Sequence, residues 1–147
     1  MKNLILVLVA LFIVGLYSNG FSECVSGNCQ NGYGRFVITG NGSYEGSFKN
    51  GLADGYGINI WADGTMYKGF WKNNKQEGKG MFICPLEGVH IGEYSNGKKQ
   101  GPGKVILNNG TVYEGNWNNG KECGAFLVTY PNGTQTYKMF YCSPLPY

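Results

Sequence analysis

The sequence has few of the groups from which catalytic and metal sites are built. Its 147 residues include a single histidine, His90, so a histidine-based metal cluster or a Ser-His-Asp triad has no second histidine to use. The glycine-rich stretches 55–57 and 78–80 lack the Walker Gly-Lys-Ser/Thr sequence of phosphate loops. The five cysteines are too scattered for a zinc site. These absences predict a protein that is not an enzyme and holds no cofactor or metal.

Charge is also scarce in this chain. Charged residues make up 14% of it, and the formal net charge is +3. So small an excess does not attract nucleic acid by bulk charge, and we predict no nucleic-acid partner. Glu45, Glu93 and Glu114 each adjoin a glycine. We interpret them as solvent-exposed side chains on strand faces, not as a catalytic carboxylate pair.

The one long apolar run lies at the N-terminus and covers 13 residues, Leu4 to Leu16. Lys2 precedes it and small or polar residues follow it, which is the layout of a secretory signal peptide. As a helix the run would span about 20 Å, short of a ~30 Å bilayer core, so a cleaved signal peptide is favoured over an uncleaved membrane anchor. We predict cleavage after Ser22. The mature protein would then be secreted or extracytoplasmic, in the periplasm or cell envelope.

Glycine and aromatic residues, by contrast, are abundant. The 25 glycines are about 17% of the chain, against roughly 7% in ordinary proteins. The 22 aromatic residues (3 Trp, 11 Tyr and 8 Phe) argue against disorder, because disordered segments have little apolar surface to bury. Both types recur every 23 residues, and Tyr44, Tyr67, His90 and Tyr113 share one register. Such a period is typical of stacked supersecondary units.

Within one repeat, the sequence predicts a β-hairpin. Residues 44–48 alternate large and small side chains as a strand does, and Asn50-Gly51 suits the positive φ of a tight turn. A second strand follows over about 55–61, and 62–64 forms a closing turn. Because a lone hairpin is marginal in water, neighbouring hairpins must stack and bury a shared face. The predicted fold class is all-β, an elongated single-layer array of stacked β-hairpins without helix after residue 22.

Two ladders of large residues recur at the same period and are predicted to form the buried face. Glycines beside them leave room for close packing of the rings. The first ladder is Phe48, Trp71, Tyr94, Trp117 and Phe140. The second ladder is Ile38, Trp61, Cys84, Leu107 and Tyr130. From these we expect the repeat core to contain Phe48, Trp61, Trp71, Tyr94, Trp117 and Tyr130.

These repeats resemble the MORN repeat (membrane occupation and recognition nexus), whose pattern is roughly Tyr-x-Gly-x-Trp-x-x-Gly-x-x-x-Gly-x-Gly. Residues 113–120, Tyr-Glu-Gly-Asn-Trp-Asn-Asn-Gly, match it closely. Departures from the pattern are His90 for tyrosine, Asn74 and Glu87 for glycines, and Phe126 for the second glycine.

The resemblance also divides the chain into segments. It covers 44–136 as four repeats. The other segments are the signal peptide over 1–22, an N-terminal cap and half repeat over 23–43, and a degenerate C-terminal repeat or cap over 137–147.

The resemblance implies an interaction or scaffold module. MORN arrays occur in otherwise unrelated proteins, and some have been credited with phospholipid binding, others with dimerisation or partner binding. We therefore expect a non-enzymatic protein-interaction or scaffold module at the cell envelope. Its expected partner is an unidentified protein, and self-association stays open as an alternative.

A lysine-rich region is the candidate site for a different function. It comprises Lys68, Lys72, Lys75 and Lys79 and, one repeat later, Lys98, Lys99 and Lys104. If adjacent turns align, these side chains form one positive edge. An anionic lipid headgroup or a glycan could bind there, each lysine contributing about 1 kcal/mol near an anionic surface. The alternative interpretation is that the lysines only keep strand edges and turns soluble.

The cysteines are odd in number, so at least one has no intramolecular partner. Cys24 and Cys29 flank a turn-like stretch, and a bridge there would staple the N-terminal cap. Cys142 follows a strand expected beside the one that Cys123 opens, and their bridge would tie down the C-terminal cap. Cys84 lies in the second ladder as a small buried apolar residue. The alternative is a protein kept reduced, with five free thiols.

Overall fold

The chain forms one antiparallel sheet. A computed structural model describes residues 22–142, in which every strand pairs with its sequence neighbours and no helix occurs. The eleven strands are β1 Ser22–Gly27, β2 Gly32–Ile38, β3 Gly42–Lys49, β4 Leu52–Trp61, β5 Met66–Lys72, β6 Lys75–Cys84, β7 Gly88–Ser95, β8 Lys98–Leu107, β9 Val112–Asn118, β10 Lys121–Thr129 and β11 Gln135–Phe140. The all-β array of consecutive hairpins is therefore confirmed. The segment interpreted as a signal peptide lies outside the described residues, except for Ser22.

Two-residue turns of the kind predicted close one end of the hairpins. Asn50 and Gly51 have φ values of 52° and 75°, the left-handed geometry that Asn-Gly adopts at low cost. Asn73 and Asn74 take the same place in the next hairpin with φ values of 48° and 63°. Each turn also bonds to the residues just after the preceding turn, as Asn74 N donates to Ala53 O at 3.0 Å. The turns therefore form a continuous edge of the sheet.

The closing turns at the other end repeat one side-chain hydrogen bond. Asp63 Oδ1 accepts from Thr65 N at 2.8 Å, and Asn109 Oδ1 accepts from Thr111 N at 2.9 Å. Asn and Asp favour turns because their side chains satisfy backbone N–H groups two residues on. These bonds fix the register of each strand that follows.

The two faces of the sheet differ, because successive side chains of a strand point in opposite directions. In β5, Tyr67 is fully buried and Trp71 nearly so, whereas Lys68 and Phe70 are exposed. We call the side that carries Tyr67 the ring face and the side that carries Phe70 the open face.

A continuous chain of nine rings builds the ring face. Neighbouring rings meet edge to face with centroids 4.7 to 5.4 Å apart, the favoured geometry for aromatic pairs. In spatial order the rings are Phe48, Tyr44, Trp71, Tyr67, Tyr94, His90, Trp117, Phe126 and Phe140. The first ladder is thus interleaved with residues of the tyrosine register, and together they make up most of the core.

Glycines recur on the ring face because the tyrosine rings lie directly over them. A Cβ added to Gly57 would overlap the ring of Tyr44, and one added to Gly80 would overlap Tyr67. Each hydroxyl then reaches a backbone carbonyl, Tyr44 Oη donating to Ser47 O at 3.1 Å and Tyr67 Oη to Phe70 O at 3.2 Å. The spacing of tyrosine and glycine is therefore a packing requirement.

The second ladder was expected in the core; Trp61 is partly buried and packs against the core cluster, whereas Ile38 and Tyr130 are exposed, which corrects the expectation for these two. Tyr130 is 42% exposed and Ile38 is 38% exposed, while Trp61 is half-buried against Phe82 at a centroid distance of 6.0 Å. Trp61 is the last residue of β4, and Tyr130 directly follows β10. At these positions a side chain is buried only if a residue of the next repeat packs over it. Phe82, 21 residues on, covers Trp61. No described residue stands in the corresponding place for Tyr130.

Phe126 explains a departure in the fourth repeat. It is fully buried, and a Cβ on Gly115 would overlap its ring. In the first two repeats this space belongs to Tyr44 and Tyr67 and in the third to His90, and their counterpart here, Tyr113, is half-buried. The ring of the fourth repeat is therefore supplied from β10 instead of β9, and the chain of rings stays unbroken.

Disulfides close both ends of the sheet. Cys24 bonds Cys29 with a Cα–Cα distance of 5.9 Å, and Cys123 bonds Cys142 with a Cα–Cα distance of 4.7 Å. These are the two pairs that the sequence predicts. Cys84 is a half-buried free thiol.

Candidate functional site

The lysines singled out in the sequence do not form one edge, which corrects that expectation. Lys72 and Lys75 flank the Asn73-Asn74 turn and are exposed, and Lys98 begins β8 just after the next turn. Lys68 lies in the middle of β5 on the open face. Lys99 pairs with Tyr94 and is half-buried on the ring face. The period-2 alternation of strands separates residues that are close in sequence.

The edge of the sheet formed by the turns, which we call the turn edge, also carries a carboxylate close to its lysines. Lys72, Lys75 and Glu77 line a cavity of about 200 Å³. Glu77 Oε2 accepts a hydrogen bond from Asn96 N at 3.0 Å, which ties it to the neighbouring turn. This edge therefore has an excess of positive charge, but it is not uniformly basic.

The open face carries a larger site that the sequence reasoning missed. A groove of about 620 Å³ crosses β5 to β8, between the exposed rings of Tyr56 and Phe70 on one side and Pro102 on the other. Tyr56 is 47% and Phe70 51% exposed, and their rings meet edge to face at 5.4 Å. Met81 and Ile91 lie between the walls. A signal for it was present, since Phe70 precedes the buried Trp71 and so must point to the other face.

Charged side chains border this groove. Lys68, Lys79 and Glu93 line it, and all three are exposed. Farther along the open face, Lys104 Nζ and Glu114 Oε1 form an ion pair at 2.8 Å. The groove is thus an apolar, partly aromatic surface bordered by charges of both signs.

His90 is a member of the chain of rings. It is 3% exposed, its Nδ1 lies 2.7 Å from Tyr94 Oη, and its Nε2 has no hydrogen-bond partner. Burial, with a smaller contribution from Lys99, lowers the pKa of His90 to about 4. The imidazole is therefore neutral near pH 7 and replaces a tyrosine ring. Burial of the Tyr44 hydroxyl likewise raises the pKa of Tyr44 to about 12, and burial of the Lys99 side chain lowers the pKa of Lys99.

The family is decided by the repeats themselves. The family model of the MORN repeat matches residues 44–66, 67–85, 90–112 and 113–125, more than half of the chain. The chain belongs to the MORN repeat family. MORN repeats are non-catalytic modules that generally mediate protein or membrane interactions. No match was found among curated proteins.

Two further findings concern the described residues of this MORN protein. Within 22–142, no helix is long and apolar enough to cross a membrane. In the same range, no group of three or more histidine, cysteine or acidic side chains could hold a metal ion. The two disulfides are compatible with an extracytoplasmic location.

Proposed function

We propose that this MORN protein is an exported, non-enzymatic scaffold that binds a protein partner through the open face of its sheet. The observation that carries the proposal is the exposure of Tyr56 and Phe70 beside an apolar groove of about 620 Å³. The rings that hold the fold together lie on the other face. Large apolar side chains grouped on a face that stability does not require are typical of interaction sites.

Export supports the location of this function. The apolar run 4–16 has the layout of a signal peptide, and two disulfides close the ends of the sheet. Cleavage after Ser22 would leave residues 23–27 of β1 and the Cys24–Cys29 disulfide in the mature protein. The site of action is then the cell envelope or the extracellular space.

Surface variants matched in exposure test the binding proposal. Phe70→Ser and Tyr56→Ser remove rings from the groove, and Tyr130→Ser removes a ring of similar exposure outside it. After chemical cross-linking in the producing cells, the partner should be recovered with wild type and Tyr130→Ser but not with the groove variants. Equal recovery with all four proteins would overturn the proposal.

The location is tested separately. Mass spectrometry of the protein isolated without reduction should show an N-terminus at Glu23 and two disulfides that exclude Cys84. Protein found in the cytoplasm with an intact N-terminus and five free thiols would contradict export.

A second function is favoured by the turn edge. Lys72 and Lys75 are cross-strand neighbours with like charges, an unfavourable pairing that an anion would relieve. Lys98 begins the strand after the adjacent turn. An anionic lipid headgroup or a glycan would bind there through charge, independently of the open face.

Vesicle sedimentation decides whether this second function exists. Vesicles rich in phosphatidylglycerol should bind wild-type protein at low salt, and charge reversal at Lys72, Lys75 and Lys98 should abolish the binding. Arg35→Glu is the matched control, an exposed charge in the middle of β2 and away from the turn edge. Wild-type protein that ignores such vesicles removes the lipid function, whereas loss of binding with the control would show that only bulk charge matters.

A further inference from the structure

A cavity at the border of the ring face lies at the end of the sheet where the closing turns are. Its volume is about 480 Å³, within the ~300–1,000 Å³ of small-molecule sites. It is lined by Asn41, Trp61, Ala62, Asp63, Thr65 and Phe82. Trp61 belongs to the ring face because Asn59, two residues earlier in β4, pairs with Tyr44. The cavity is therefore separate from the groove of the open face.

The indole of Trp61 gives this cavity a flat apolar surface. Phe82 covers one part of the indole, with the two ring centroids 6.0 Å apart. On β3 the cross-strand partner of Trp61 is Gly42, which has no side chain to cover the rest. The indole is accordingly half-buried. A ring held in place by a neighbour and open on its remaining surface can stack against a flat apolar face of a ligand.

Two polar side chains stand beside the indole. Asn41 O accepts a hydrogen bond from Ala62 N at 3.1 Å, which places the exposed Asn41 beside the turn that holds Asp63. Hydrogen bonds from the backbone and side chain of Thr65 hold the pKa of Asp63 below its ordinary value, so this carboxylate is ionised near pH 7. A carboxylate has about four acceptor positions, so Asp63 can accept further bonds, and the Asn41 amide can both donate and accept.

The repeat does not require this combination of residues, because it occurs once in the chain. The residues at the position of Trp61 in the other repeats are Ile38, Cys84, Leu107 and Tyr130. Those at the position of Asn41 are Gly64, Glu87 and Gly110. Two later turns have the uncharged Asn109 and Asn132 in place of Asp63. Side chains needed only for stacking of the repeats would recur with the period. A ligand would explain why they are grouped here.

We propose that this cavity binds a pyranose ring of an uncharged glycan, stacked on Trp61 and hydrogen-bonded to Asn41 and Asp63. One face of a pyranose presents C–H groups and packs on an indole, while the hydroxyls around the ring donate to the carboxylate and exchange both kinds of bond with the amide. Of the described lining residues Asp63 is acidic and none is basic, so an anionic sugar is disfavoured. The site is additional to the open face and to the turn edge.

Tryptophan fluorescence of the full chain, in the form that the producing cell accumulates, tests the site directly. The probes are maltohexaose, cellohexaose, chitohexaose and mannohexaose, all uncharged, at millimolar concentration. Trp71 and Trp117 are buried, so Trp61 is the indole whose emission responds to a bound sugar. At least one hexasaccharide should shift the emission to shorter wavelength, and the shift should saturate.

Three variants identify the contacts, each introducing the residue that another repeat has at the same position. They are Trp61→Leu, Asn41→Gly and Asp63→Asn. In calorimetric titration with the hexasaccharide that binds, Trp61→Leu should bind at least about tenfold more weakly. Each polar variant should bind about fivefold more weakly, the loss expected for one hydrogen bond. Circular dichroism shows that each variant is folded.

The matched control is Tyr130→Leu, which makes the same kind of change at the same ladder position of the fourth repeat. It should bind the sugar as wild type does. Phe70→Ser, in the groove of the open face, should also leave sugar binding unchanged, so this test does not depend on the outcome for the protein partner.

Three results would overturn the inference. The first is that none of the four hexasaccharides binds wild-type protein. The second is that one binds wild type and folded Trp61→Leu equally, because the sugar would then lie elsewhere. The third is an emission shift with tetramethylammonium chloride but with none of the sugars, which would make the cavity a cation–π site.

Discussion

The imidazole of His90 and the indole of Trp117 meet edge to face with their centroids 4.9 Å apart. Because of this contact the chain of rings continues through the third repeat, where His90 stands in place of the tyrosine. His90 also meets Tyr94 at 5.3 Å, so it bridges the third repeat to the fourth. The core of the protein is therefore a line of aromatic contacts along the sheet, each repeat depending on its neighbours.

Removal of a ring from the middle of this line should be costly. Tyr67 is fully buried, and its ring contacts those of Trp71 and Tyr94 at centroid distances of 5.0 Å each. Tyr67→Ala should lower the free energy of unfolding by about 3–5 kcal/mol. Tyr56→Ala, on the open face, should lower it by less than about 1 kcal/mol. Urea unfolding measures both losses. Similar losses would contradict the conclusion that the ring face, and not the open face, stabilises the fold.

His90 should make stability depend on pH. Its pKa is lowered from 6.5 to about 4 in the fold, so the unfolded chain binds more protons between these values. The stability that neutral His90 contributes is fully present above about pH 6.5 and is lost as the pH falls toward 4. The loss amounts to about 3 kcal/mol.

The matched variant for this prediction is His90→Tyr. Its hydroxyl should reach the backbone carbonyl of Glu93, as Tyr44 and Tyr67 reach the equivalent carbonyls of Ser47 and Phe70. The difference in unfolding free energy between His90→Tyr and wild type should grow from pH 7 to pH 4. A constant difference over that range would show that His90 is not buried in its neutral form.

Phe126 gives an unusual prediction about glycine. Phe126→Ala should cost about 3–5 kcal/mol, because it leaves a cavity under Gly115. Phe126→Gly restores the family pattern and opens the space that a tyrosine ring fills in earlier repeats, so Tyr113 can enter it. We expect glycine to be less destabilising than alanine by about 1 kcal/mol, the reverse of the usual order in a strand. Thermal unfolding of the two variants decides, and a less stable glycine variant would contradict this account.

The two disulfides should contribute unequally. The loop closed by Cys123 and Cys142 spans 19 residues and that closed by Cys24 and Cys29 spans 5. In the chain-entropy model these closures stabilise by about 3 and about 2 kcal/mol. Replacing Cys142 by serine should speed hydrogen exchange in β11, while Cys24→Ser should affect β1. A hydrogen-exchange rate that changes equally along the whole sheet would show that the disulfides do not stabilise the end strands locally.

The fold was predictable from the sequence because each repeat contains residues that suit only certain backbone conformations and contacts. Asn50-Gly51 favours a left-handed turn, and the ring of Tyr44 leaves room only for a glycine beneath it. The fate of Tyr130 was not predictable from periodicity, since its burial depends on a neighbour that no described residue provides. The groove was also missed. Exposed Phe70 and buried Trp71 are adjacent in sequence, and only the assembled sheet shows that Phe70 lies beside Tyr56, its cross-strand partner on β4.

Photo-cross-linking from two matched positions tests the central claim, that the open face binds and the ring face holds the fold. A benzophenone side chain replaces Phe70, which is 51% exposed in the groove, or Tyr130, which is 42% exposed outside it. On irradiation in the producing cells, position 70 should yield a discrete protein adduct and position 130 should not. Adducts from position 130 alone, or none from position 70 in folded protein, would contradict the account.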